Sequence, residues 1–232
     1  MTAPVSEKKQ PTSIAIDGPG ASGKTTVGVR LAGRLHCRFL DTGVMYRAVT
    51  ALALEKGIAL DDESALAEMA ASATMEIAPL PGPTGVTKVT ANGRDVTGEI
   101  YTPEVDRAVS QVSMVGGVRD ALVRRQQELA DSGGIVMVGR DIGTKVLPDA
   151  SLKVFLLASA EERARRRHEQ LLSRGEGITY AEVLKDLKRR DELDSQREHS
   201  PLVAAEDAHR IDTDGRTEEQ VTEAICALSK KS

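Results

Sequence analysis

The residues Gly18-Pro19-Gly20-Ala21-Ser22-Gly23-Lys24-Thr25 fit the spacing G-x-x-x-x-G-K-[ST] at every fixed position. Glycines at these places let successive backbone N–H groups turn toward one anion, and a helix N-terminus behind them adds its positive dipole end. The Lys24 ammonium is then placed for the β and γ phosphates of ATP, and the Thr25 hydroxyl for Mg²⁺. Together with Thr26, this stretch is the expected donor-nucleotide and metal site. Other phosphate-loop proteins leave further marks that this chain lacks. A guanine reader of the type N-K-x-D or T-K-x-D is absent, because Thr144-Lys145 runs on into Val146 and Leu147. An L-S-G-G-Q-like segment of transporter ATPases is absent as well. A compact kinase remains, and the loop by itself fixes the donor and not the acceptor.

A second group of residues could form the acceptor side. Leu40-Asp41-Thr42-Gly43-Val44-Met45-Tyr46-Arg47 and Val138-Gly139-Arg140-Asp141-Ile142-Gly143 each follow an apolar run. In an open parallel sheet that places Thr42, Arg47, Arg140 and Asp141 at the carboxyl edge, where ligands bind. Arg190, Asp194 and Arg197 are spaced by four and then three, so a helix would present all three on one face. In the run Arg163, Arg165, Arg166, Arg167 the charges are too many for one face, so only one or two can reach a phosphate. Arg163 and Arg167 share a face, and Arg174 follows near the end of that segment.

The elements that must position these groups follow from periodicity. Residues 13–17 form a short β-branched run ending at glycine, a buried first strand. Val27, Leu31 and Leu35 recur every four residues, so the loop opens into a helix over 24–35. A strand is predicted at 38–41 and a helix at 46–55, stopped by Gly57. Short β-prone segments at 74–77 and 86–90 flank Pro79, Pro81, Gly82, Pro83 and Gly85, and Asn92-Gly93 signals a hairpin, so a small antiparallel insertion is expected. Residues 102–131 read as helix interrupted at Gly116-Gly117. Strands are expected at 135–138, 152–157 and 209–213, and helices at 160–172, 179–197 and 218–228. Strands alternating with helices imply an α/β fold with a parallel core sheet.

The ordered set G-P-G-A-S-G-K-T-T, L-D-T-G-V-M-Y-R, S-Q-V at Ser110 to Val112, V-G-R-D-I-G-T and R-D-E-L-D-S-Q-R at Arg190 to Arg197 resembles the bacterial cytidylate kinases. The resemblance runs from Ile14 to about Thr213. It implies a three-layer P-loop NTPase fold with a parallel core sheet, an antiparallel insertion for the nucleoside monophosphate at about 70–102, and a helical lid at about 161–177. It implies that Thr42, Arg119, Asp141 and Arg197 surround a cytosine ring. By the same resemblance Ser110, Arg190 and Asp194 hold the ribose, and Arg47 and Arg140 the acceptor phosphate. The substrates implied are CMP or dCMP with ATP, and the state implied is a monomer. Kinases for UMP, dTMP or shikimate share the loop, as does an ATP-sensing module without turnover. Such a module would leave Arg47, Arg140 and Arg197 unexplained.

The bulk properties agree. Lys plus Arg number 31 against 35 Asp plus Glu, a net charge of −4, which argues against a general nucleic-acid binder. Cys37 and Cys226 lack metal spacing and fit a reducing, cytoplasmic compartment. Residues 1–12 read as a polar tail, residues 13–232 as the kinase domain, and no run is long enough to span a bilayer. Phosphoryl transfer rests on positioning and charge neutralisation, for which Lys24, Arg140, Arg163 and Arg167 are the expected set. Replacing Lys24 by Met is expected to cut turnover by about 10²–10³-fold with the fold retained, as judged by steady-state kinetics beside circular dichroism. Undiminished turnover in the folded variant would refute the assignment.

Overall fold

The computed structural model describes residues 13–79, 87–197 and 199–230. The predicted tail at 1–12 and the Pro81 to Gly85 stretch lie outside the described residues, as does Val86 at the start of one predicted strand. Among the described residues the chain forms eight strands and eight α-helices.

The central sheet is parallel throughout, in the order β2-β6-β1-β7-β8. Its strands are β1 (Ser13–Asp17), β2 (Arg38–Asp41), β6 (Ile135–Gly139), β7 (Leu152–Leu157) and β8 (His209–Asp212). Side chains along a strand alternate between faces, so each face collects its own core. Ile14, Ile16, Val136, Val138, Val154 and Leu156 pack with Val27 and Leu31 of α1 (Lys24–Leu35) and with Val221 and Ile225 of α8 (Glu218–Ser229). On the other face Ala15, Leu40, Ile135 and Met137 meet Val123 of α5 (Gly116–Ala130) and Ile142. Helix, sheet, helix is the three-layer arrangement expected of the sequence.

A further core joins α2 (Gly43–Glu55), α3 (Glu63–Ser72), α4 (Pro103–Val112) and α5 to the small antiparallel sheet. That sheet runs β3 (Met75–Pro79), β4 (Thr87–Ala91), β5 (Arg94–Asp95). Its β4-β5 turn is the predicted hairpin, with φ of 50° at Asn92 and 77° at Gly93, the left-handed pair that a tight two-residue turn requires. Last, α6 (Ala160–Ser173) and α7 (Tyr180–Gln196) pack through Ala164, Leu171, Val183 and Leu187 against Ala21 of the glycine-rich loop.

Three expectations need correction. Helix α2 begins at Gly43, earlier than expected, because the Asp41 carboxylate accepts the Gly43 N–H at 3.0 Å and opens the helix there. Gly116-Gly117 does not interrupt a helix; it begins α5, and the break is at 113–115. A Cβ on Gly117 would lie 2.5 Å from that of Ala67, so this glycine serves the close approach of α3 to α5. Arg197 does not continue the face of Arg190 and Asp194, since α7 ends at Gln196 and Arg197 is extended (φ −63°, ψ 139°).

Candidate active site

The glycine-rich loop sits where β1 feeds α1, at the carboxyl edge of the sheet. Its path needs left-handed backbone at Ala21 (φ 59°) and Gly23 (φ 90°). Gly18, at φ 148°, runs so close to β7 that a Cβ there would stand 2.4 Å from the Leu156 carbonyl oxygen. Buried in this turn, Lys24 donates from Nζ to the Pro19 carbonyl at 2.6 Å and to Ser22 Oγ at 3.4 Å. Burial, reinforced by the Arg140 charge, holds the ammonium well below the ordinary lysine range, an environment that an added anion would reverse. Thr25 Oγ1 donates to Asp41 Oδ2 at 2.7 Å, so the hydroxyl and a carboxylate meet beside the loop. Thr26 continues α1 one residue on.

Arginines from four elements converge on this edge. Arg163 of α6, 4% exposed, forks onto Asp191 of α7 at 2.6 and 3.0 Å and also donates to the Gly20 carbonyl at 3.2 Å. Arg140, just after β6, donates from Nε to Asp194 Oδ2 at 2.8 Å. A Cβ on Gly20 would stand 3.5 Å from its Nη2, which puts that guanidinium against the loop. Arg47 of α2 and Arg167 of α6 each bond one oxygen of Asp106 on α4. Arg190 of α7 donates to the Asp106 carbonyl at 2.7 Å. The predicted partners Arg190 and Asp194 thus divide between two clusters.

The third grouping is the most enclosed. Arg119 of α5 and Asp141 form a buried ion pair, with side chains only 3% and 6% exposed. Arg119 is also held by the Ser113 carbonyl and lies over the Tyr46 ring at 5.4 Å. Arg197 lies 3.8 Å from Asp194 Oδ1, and burial next to Arg119 pushes its guanidinium down. Arg119 Nε and Arg197 Nε and Nη2 are buried N–H groups without a hydrogen-bond partner in this structure. Buried donors seldom go unanswered, so orphans gathered in one place mark room for an acceptor-rich ligand. A cavity of about 270 Å³ beside Arg119, walled by Val123, Lys145 and His199, is a different space, since none of Asp141, Arg197 and Thr42 lines it. Thr42, buried at the end of β2, donates to the Val138 carbonyl at 3.0 Å. Ser110 lies one turn beyond Asp106 on α4, part buried.

Sequence reasoning named Asp141 and Asp194 but passed over Asp17, Asp41 and Asp106, which also hold this edge. Asp17, the last residue of β1, accepts the Ile142 and Gly143 N–H groups at 2.7 and 2.8 Å, fixing the π turn Ile142–Val146 that follows Asp141. Asp17 and Asp41 both end core strands, a position that flags a site in open α/β sheets. Asp106 has no such signal, since α4 lies outside the sheet.

A loop of this kind on a parallel sheet, ringed by arginines, defines a phosphoryl-transferring kinase of the P-loop class. A gluconokinase from Sinorhizobium meliloti has a similar fold, with a TM-score of 0.50 over 97% of this chain and 94% of that one at 16% identity. A family model described as cytidylate kinase matches residues 14–231. The chain is 47% identical to a cytidylate kinase of Bacillus licheniformis, over 94% of this chain and 96% of that protein. Against a cytidylate kinase of Bacillus subtilis it is 46% identical, over 97% and 99% of the two chains. The chain belongs to the cytidylate kinase family.

Burial lifts the Asp17 carboxyl to about 6 despite its two backbone partners, with Asp141 adding to the rise. Because that value exceeds the ordinary 3.8, folding takes up a proton. The group's contribution to stability is complete at low pH and is lost as pH rises through about 6. The unfolding free energy of Asp17→Asn minus that of the wild type should therefore fall by about 2 kcal/mol between about pH 7 and pH 4 in urea titrations. A difference that stays flat across this window would show that Asp17 is ionised throughout.

Proposed function

We propose that this chain transfers the γ-phosphoryl group of ATP to CMP, and to dCMP, yielding CDP and dCDP. The observation that carries the acceptor assignment is the buried Arg119–Asp141 pair, with orphaned N–H groups on Arg119 and Arg197 beside it. Cytosine offers an amine donor with N3 and O2 acceptors. A carboxylate with an oxygen to spare faces the amine, and guanidinium N–H groups face N3 and O2. Thr42 closes the same set. Uracil carries a donor at N3 and an acceptor at C4, so it would leave groups on both sides unpaired in a dry pocket, a strong penalty.

In this reading the loop from Gly18 to Thr26 grips the ATP phosphates. Lys24 leaves the Pro19 carbonyl for them. Arg47 and Arg140 take the acceptor phosphate, while Ser110, Arg190 and Asp194 contact the ribose. Arg163 and Arg167 bring positive charge from the lid at about 161–177, and the insertion at about 70–102 flanks the monophosphate. The hard oxygens of Thr25 and Asp41 would hold Mg²⁺, which would offset the negative charge of the phosphates. What the protein's own groups supply is alignment of the acceptor oxygen with the γ-phosphorus and exclusion of water when α6 and α7 close. A monomer is the state that the family resemblance implies, and the net charge of −4 is no help to nucleic-acid binding. No described helix is long and apolar enough to cross a membrane, and a cytoplasmic enzyme is the simplest setting for these substrates.

The test is ADP formation with CMP, dCMP, UMP and dTMP as acceptors, for the wild type and for Arg119→Ala and Asp141→Ala. CMP and dCMP should be preferred. Each variant should raise the KM for CMP by roughly 10–100-fold while that for ATP moves little. Equal rates across the four acceptors, or lost ATP binding in both variants, would overturn the acceptor map.

A further inference from the structure

The acceptor-phosphate reading gives Asp106 no task, although Asp106 bonds Arg47 directly. Asp106 stands on the first turn of α4, with its side chain about one-fifth exposed, where charges from three other helices meet. Its Oδ1 accepts from Arg47, its Oδ2 accepts from Arg167 at 3.0 Å, and its carbonyl accepts from Arg190 at 2.7 Å. Three guanidinium groups against Asp106 and against Asp186, which pairs with Arg190, leave a net charge of +1. A phosphate monoester carries about −1.5 to −2 at pH 7, and two of its three terminal oxygens can take the places of the two carboxylate oxygens.

We propose that Asp106 is a built-in stand-in for the acceptor's phosphate, a tethered anion that the incoming monophosphate must displace from Arg47 and Arg167. The proposal rests on the reading of Arg47 as an acceptor-phosphate contact. A plain scaffold role for Asp106 predicts the opposite effect, and the remaining contacts of the three arginines decide between the two. Arg47 keeps its bond to the Ile100 carbonyl at 2.9 Å and its place over the Tyr101 ring at 5.5 Å. Arg167 keeps Gln170 Oε1 at 2.8 Å. Arg190 keeps Asp186 at 2.8 Å and the Asp106 backbone carbonyl, which no side-chain substitution removes. Each arginine therefore stays in place when the carboxylate loses its charge. What changes is competition: burial would raise the Asp106 carboxyl, but Arg47, Arg167 and Arg190 together hold it below its usual range, so it competes as a full anion at working pH. Asp106 thus sets how tightly the site grips a monophosphate, and eases the same group out after transfer.

The experiment compares Asp106→Asn, Asp106→Ser and Asp106→Glu with Arg47→Ala, each checked for folding by circular dichroism. Steady-state kinetics in CMP and in ATP are paired with calorimetric titration of CMP. Asp106→Asn and Asp106→Ser should lower both the KM and the Kd for CMP by about three- to tenfold, with the KM for ATP within about twofold. Asp106→Glu keeps the charge and should not gain CMP affinity as the Asn and Ser variants do. Inorganic phosphate should compete against CMP more strongly in the Asn variant than in the wild type. CMP affinity that is unchanged or weaker in the Asn and Ser variants, while Arg47→Ala weakens it, would overturn the proposal and make Asp106 a scaffold. Should Arg47→Ala also leave CMP affinity untouched, the phosphate-site reading fails first and the stand-in falls with it.

Discussion

A protein that must seize polyanions has to store positive charge in one place before any anion arrives, and like charges at close range repel. Here the store is Lys24 with Arg47, Arg140, Arg163, Arg167, Arg190 and Arg197 at one end of a sheet. Carboxylates offset it. Arg163 has Asp191, Arg140 and Arg197 share Asp194, and Arg47 and Arg167 share Asp106. Removing Asp191 from Arg163, whose side chain is only 4% exposed, would leave that charge desolvated, which costs more than the pair itself contributes. The aspartates are therefore as much a part of the site as the arginines.

The parallel sheet gives those charges a common frame. All five of its strands point their carboxyl ends the same way, so the turns after β1, β2 and β6 open side by side. Asp17 ties two of them together by capping the π turn after β6 from the end of β1. Its dry setting, reflected in a carboxyl lifted to about 6, is the electrostatic cost of holding the donor loop and the acceptor wall in fixed relation. Glycine is required where backbone meets backbone, and Gly18 against Leu156 is the tightest such place in the loop.

Much of this could be read from sequence because strong local periodicity coincided with tertiary demand. The four-residue spacing of Val27, Leu31 and Leu35 marks α1 to the residue, and the apolar run of β7 does the same. Helix α3 escaped notice although Asp62 caps it, since its buried Leu66, Met69 and Ala70 stand among alanines that blur any pattern. Gly117 misled because glycine has two meanings in a helix, a stop or a close approach, and only the packing of Ala67 tells which applies. The arginines were legible through their motifs. Their pairing was not, because Asp106 and Asp191 lie on helices distant in sequence from the groups they hold, and long-range ion pairs have no local signature.

The π turn at Ile142–Val146 closes a ring from the Val146 N–H to the Asp141 carbonyl at 3.2 Å, one residue wider than an α-helical turn. Such a turn is in effect an α-helical turn that has absorbed an insertion. Its length is then locked: a deletion among these five residues would wind the segment as ordinary helix and rotate whatever precedes it by about a quarter turn. Asp141 would swing off Arg119, so the length of this turn is bound to the buried Arg119–Asp141 pair.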